Sequence, residues 1–130
     1  MYKSGDFARA GAKYAEALAA IESADAGIAP ADVAELRSKC RLNLAQCYLR
    51  LCSYGAAEEQ CDLVLGADAK SSKALLRRGQ ARIGRDALDD ALADMLAACK
   101  LEPKNREMRT EYEKIKELVV AHPTLPNKLK

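Results

Sequence analysis

The chain has 130 residues, enough for one domain with its own core, and is 49% hydrophobic and 31% charged with a formal net charge of +2. A composition rich in Ala, Leu, Glu, Lys and Arg and poor in β-branched residues favours helices over a sheet. No apolar run approaches the ~18 residues of a membrane-spanning helix, and so small a net charge does not by itself imply nucleic acid.

In chain order, Met1–Lys3 reads as the end of one helix, and a second runs from about Phe7 to Ala24 after a chain reversal at Gly5-Asp6. The segment "AGIAPADVAELR" (26–37) is an insertion. Pro30 is tolerated in a first helical turn, so the helix that carries Asn43 begins near Ala31 and ends near Leu51. Cys52–Ala56 turns, and the next helix spans about Ala56–Leu65. After the loop "GADAKSS" come helices near Ser72–Ile83 and Leu88–Leu101. "EPKN" breaks the chain, and a last amphipathic helix, about 106–121, places Met108, Tyr112, Ile115 and Val119 at helical spacing. Residues 122–130 hold two prolines and a basic end and read as a tail or linker.

Five cysteines (Cys40, Cys47, Cys52, Cys61 and Cys99), an odd number without a C-x-x-C pair, read as reduced thiols in a cytoplasmic setting. No charged-then-apolar segment resembles a signal peptide. The single histidine, His122, lies in the tail, which leaves no metal-ligand set and no Ser/His/Asp or Cys/His arrangement. The expectation is therefore no metal, no cofactor and no enzyme. The acid pairs Asp89–Asp90 and Glu58–Glu59 read as solvated helix surface.

A period of thirty-four residues runs through the middle of the chain: Asn43 matches Arg77, Ala45 matches Gly79, Ala57 matches Ala91 and Cys61 matches Met95. Tyr14, Cys61 and Met95 each follow a small residue (Ala10, Ala57, Ala91) by four, and Ala17, Val64 and Ala98 come three later. The pattern resembles the tetratricopeptide repeat (TPR), a helix–turn–helix unit. Gly79 and Ala45 stand where two helices approach, Tyr2 and Tyr48 near the end of the first helix, and Pro103 closes the last unit. Three departures are Arg82 in place of the usual Tyr, Val64 in place of Ala and Ala69 in place of Pro. The resemblance implies an all-α right-handed superhelix of three units, about 1–25 (truncated at its N-terminal side), 38–71 and 72–105, with 106–121 as the capping helix.

From Lys70 to Arg85 there are six basic residues and no acid. Lys73 and Arg77, four apart, repel on one helix face with no acid three or four residues away to offset them. Lys73, Arg77 and Gln80 fall within roughly 60° on a helical wheel, between two flanks that want packing. A narrow basic strip of that kind suits a groove that receives an anion. Arg78, Arg82 and Arg85 form a second strip that reads as mainly solvated.

Some TPR domains hold the C-terminal carboxylates of heat-shock chaperones, whose tails end in Glu-Glu-Val-Asp, in a carboxylate clamp. The resemblance assigns that role here to Asn43, Lys73 and Arg77, with Gln46, Arg50 and Gln80 as secondary groove contacts. The chemistry fits: Asn donates without charge, Lys is a mobile point charge, and Arg offers a planar fork. The first-unit Lys and Asn of that clamp would precede Met1. The insertion together with "LNLAQCYLRL" and "KALLRRGQA" is similar to the domain of large immunophilins of the FK506-binding-protein and cyclophilin-forty types. No prolyl-isomerase domain fits in this chain. The expected partner is the C-terminal peptide of a ninety-kilodalton or seventy-kilodalton heat-shock chaperone. The alternatives are a scaffold for another peptide, and self-association through the truncated first unit. A membrane is not expected, and nucleic acid is disfavoured by the scarcity of aromatics.

Overall fold

The computed structural model describes residues 4–23 and 29–121. Six helices follow one another: α1 (Ser4–Ser23), α2 (Pro30–Arg50), α3 (Tyr54–Ala67), α4 (Ser72–Gly84), α5 (Leu88–Leu101) and α6 (Arg106–Ala121). No strand occurs among the described residues. Each helix packs on the next, and α2 also touches α4. A stack in which alternate helices meet has one face built by α2 and α4 together. The expected helix end at Met1–Lys3, part of the insertion and the tail lie outside the described residues.

Local chemistry explains most boundaries. Pro30 opens α2, where its missing N–H removes no helical hydrogen bond. Ser71 caps α4, its Oγ accepting from the Ala74 N–H at 3.3 Å. Asn105 caps α6, its Oδ1 accepting from the Met108 N–H at 3.1 Å. α1 departs from expectation. It is already helical at Ser4, so Gly5 and Asp6 sit inside the helix rather than in a turn. Asp6 in the first turn faces the positive end of the helix dipole and pairs with Arg9 one turn on.

The thirty-four-residue period reappears as geometry. Cys52 and Asp86, one period apart, are the non-glycine residues with positive φ among the described residues, at 59° and 62°. Both sit just past a helix end. Ser53 N–H donates to the Tyr48 carbonyl and Ala87 N–H to the Arg82 carbonyl, each at 2.8 Å. Cys52 N–H donates to Leu49 at 3.1 Å and Asp86 N–H to Ile83 at 3.0 Å. This is the Schellman closure of a helix C-terminus, made twice. It turns the chain sharply into α3 and α5, which explains why α3 starts at Tyr54, ahead of the expected Ala56.

Small residues at repeat-related positions let the helices approach. Ala45, Ala57 and Ala91 are 0% exposed. At Gly79 a Cβ would come within 2.8 Å of Met95 Cε and 3.4 Å of the Ala91 carbonyl, so α4 and α5 touch there through glycine. Cys61 and Met95 are also fully buried, one per unit. Leu75, Leu76, Leu88, Met95, Met108, Ile115 and Val119 join α4, α5 and α6 into one cluster. Each such side chain stabilises the fold by about 1.5–3 kcal/mol.

The second basic strip is not a solvated face. Arg78 holds Asp94 bidentately, Nε to Oδ2 at 3.0 Å and Nη2 to Oδ1 at 2.8 Å, and reaches Asp62 at 2.9 Å. Arg82 donates to Asp94 at 2.8 Å and to Glu58 at 2.9 Å, and Arg85 also pairs with Glu58. Asp94 is only 4% exposed. These six side chains tie α3, α4 and α5 together. Their partners lie 12 to 27 residues away, beyond the reach of a helical-spacing argument.

Candidate functional site

α2 and α4 present their polar residues to a shared cleft. A cavity of about 320 Å³ is lined by Gln46 and Arg50 of α2 and by Lys73, Leu76, Arg77 and Gln80 of α4. Glu102 and Asn105 of the α5–α6 turn and Glu107 and Met108 of α6 complete its wall. A second hollow of about 210 Å³ shares Gln46, Arg50 and Gln80 with the first and adds Leu49 and Tyr54. The two form one groove along α2 and α4, polar at the α6 end and partly apolar at the Tyr54 end.

Helical spacing accounts for this grouping. Lys73, Arg77 and Gln80 stand at i, i+4 and i+7 on α4, and Asn43, Gln46 and Arg50 at i, i+3 and i+7 on α2. Five of the six residues singled out in the sequence line the groove. Asn43 does not: it is exposed on the same face of α2, one turn before Gln46.

The two α4 cations differ in setting. Arg77 is half-buried, and its Nη1 donates to the Leu42 carbonyl of α2 at 2.8 Å. Burial lowers its pKa below the usual guanidinium value, and the charge of Glu107 opposes that shift. One N–H is thus spent on fixing the guanidinium between α2 and α4, and the rest of the fork remains for a ligand. Lys73 is exposed and makes no ion pair within 4 Å among the described residues.

The strip that appears uncompensated along α4 meets acids from outside its own helix. Glu102 accepts a hydrogen bond from Ser72 Oγ and another from Asn105 Nδ2 at 3.3 Å. Those hydrogen bonds, with the charge of Lys73, hold its carboxyl below the usual range. Glu107 lines the same cavity and acts electrostatically on Arg77. Lys73, Arg77 and Arg50 therefore face two carboxylates, a net positive cleft rather than a purely basic one. Neither acid was singled out in the sequence. The breaker "EPKN" was the available signal, because it returns the chain to the start of α4.

The cysteines hold no part of this site. Cys61 is enclosed beneath it, and burial pushes its thiol up to about 12. No group of His, Cys, Asp and Glu that could hold a metal occurs among the described residues, and none of these helices is long and apolar enough to cross a membrane.

No family model matches the sequence. The chain is 33% identical over 112 residues to peptidyl-prolyl cis-trans isomerase FKBP4 of Mus musculus, covering 85% of this chain and 24% of that protein. It spans, then, about a quarter of that relative's length. Among solved structures it is similar to the C-terminal TPR-containing domain of an FK506-binding protein of Plasmodium falciparum, with a TM-score of 0.75 and 27% identity over 92% of this chain and 82% of that one. It is also similar to the first TPR of Spaghetti (RPAP3) bound to the HSP90 peptide SRMEEVD, with a TM-score of 0.65 and 27% identity over 90% and 87% of the two chains. The fold is thus the all-α TPR superhelix, and it resembles the TPR domains of large immunophilins.

Proposed function

We propose that this chain is a non-enzymatic binding module for the acidic C-terminal tail of a cytosolic heat-shock chaperone, and so a co-chaperone adaptor. The observation that carries the reading is the convergence of Lys73, Arg77, Arg50, Gln46 and Gln80 on one cleft between α2 and α4. In it, Lys73 and Arg77 pair with the terminal carboxylate and the last acidic side chain of the tail. Arg77 enters as a fixed fork, Lys73 as a mobile charge. Asn43, on the same face of α2, is the third carboxylate-binding residue and donates from its uncharged amide once the peptide lies along the groove. Gln46, Arg50 and Gln80 contact the residues that precede. Leu49 and Tyr54 give an apolar residue of the tail a place to pack. The similarity to a TPR domain bound to an HSP90 peptide supports this choice of ligand. The units 38–71 and 72–105 are the repeats that supply the groove, with 106–121 as the cap.

Calorimetric titration with a peptide ending in Glu-Glu-Val-Asp tests it. We expect micromolar binding that is lost when the peptide carboxylate is amidated. Lys73→Ala/Arg77→Ala should weaken it by at least about 100-fold, since each charged hydrogen bond contributes roughly 1.5–3 kcal/mol. Binding indifferent to the amide would favour the second reading, a scaffold for a different peptide. That reading has its own support in the exposed position of Asn43 outside the cavity and in the two carboxylates within it.

A further inference from the structure

We infer that Glu107 is a selectivity residue of the groove: relative to a groove without its charge, it lowers the affinity for tails that carry acids just upstream of the C-terminal carboxylate and raises it for tails that carry a base there. The inference rests on the carboxylate reading above and concerns which carboxylate ligands pass.

The two acids of the cleft are not equivalent. Glu102 is occupied by Ser72 and by Asn105, the residue that caps α6. Its role is to fix the α5–α6 turn against the start of α4. Glu107 sits two residues after that cap, on the first turn of α6. It is exposed and forms no hydrogen bond or ion pair within 4 Å among the described residues. Yet it lines the cavity and its charge is felt at Arg77. An unspent carboxylate beside a half-buried guanidinium does two things. It competes with an incoming anion for Arg77, and it offers an acceptor to a cation carried by the ligand.

The groove is also asymmetric. Acids line it only at the α6 end, whereas Arg50, Gln46 and Gln80 continue towards Leu49 and Tyr54 without one. A ligand whose carboxylate lies on Lys73 and Arg77 passes Glu107 with the residues just before its terminus and reaches Arg50, Gln46 and Gln80 with those further back. A lysine just before the terminus gains what a glutamate loses.

The test compares two peptides on two proteins. The peptides end in Glu-Glu-Val-Asp and in Lys-Lys-Val-Asp, each with an amidated control; the proteins are the full chain and its Glu107→Gln variant. Glu107→Gln keeps the shape of an exposed side chain, and equal melting temperatures will show that it folds alike. We expect the variant to bind the acidic peptide about three- to tenfold more tightly and the lysine peptide correspondingly more weakly, both effects shrinking in high salt. Amide-sensitive binding that Glu107→Gln leaves unchanged, or changes equally for both peptides, would overturn the inference and leave the carboxylate reading standing. Binding insensitive to the amide, or none by either peptide, would overturn both.

Discussion

Cys52 and Asp86 adopt the left-handed conformation at the same place in two successive repeats, with φ of 59° and 62°. A residue with a Cβ is strained there, and Asp tolerates it better than Cys because its short polar side chain bonds locally. Replacing Cys52 by Gly should raise stability by roughly 0.5–1 kcal/mol, and Asp86→Gly by less. Thermal unfolding followed by circular dichroism would show this as an increase of a few degrees, larger for Cys52→Gly; a decrease for both would mean that the turn is not strained. The thirty-four-residue spacing of this pair was present in the sequence, but nothing local in "RLCSY" or "GRDAL" marked the left-handed residue, since neither position is glycine. The conformation is set by the hydrogen bonds that close α2 and α4 and by the direction in which the next helix must leave.

Between elements, the network of Arg78, Arg82 and Arg85 with Asp94, Glu58 and Asp62 joins α3, α4 and α5. Asp94 carries two arginines from inside the protein, so Asp94→Ala should cost about 3 kcal/mol, measured by urea unfolding at neutral pH. A loss below about 0.5 kcal/mol would show that the network is solvated after all. Glu58 adds a pH dependence. Burial alone would raise its pKa, but the hydrogen bonds and charges of Arg82 and Arg85 outweigh that and hold it below the ordinary value. Its contribution is therefore complete above the unfolded carboxylate range, near pH ~4.3, and is lost as the pH falls through the folded value. The acid limb of stability should flatten in Glu58→Gln relative to the unaltered chain, whereas an identical pH profile would mean that the ion pairs with Arg82 and Arg85 contribute nothing. The arginine strip itself was plain in the sequence as a charge run. Its partners were not, because helical periodicity relates residues three or four apart and says nothing of those that packing brings together.

For the molecule as a whole, burial sorts the thiols. Cys52 is exposed, Cys99 is partly covered, and Cys40, Cys47 and Cys61 are enclosed by the stacked helices. A thiol reagent at pH 8 should modify Cys52 first and reach Cys61, whose pKa is held near 12, only through opening of the stack. Titration with the reagent in rising urea would show the Cys61 rate following the unfolding curve. Fast labelling of Cys61 in native buffer would mean that the α3–α4 packing opens on its own.

What the sequence by itself determined is what repeats along the chain: the all-α class, the thirty-four-residue period, the small residues at helix crossings, and the alignment of Lys73, Arg77 and Gln80 on one face. Each follows from spacing on a single helix or from one helix pair copied into the next. What only the tertiary structure decided is which charges stay available. Arg78, Arg82 and Arg85 are spent within the stack, Arg77 is pinned to Leu42, Lys73 is left exposed, and Glu102 and Glu107 enter the cleft from beyond α5. Coulomb interaction depends on distance in space, and the turns that set those distances bring together residues up to 35 positions apart.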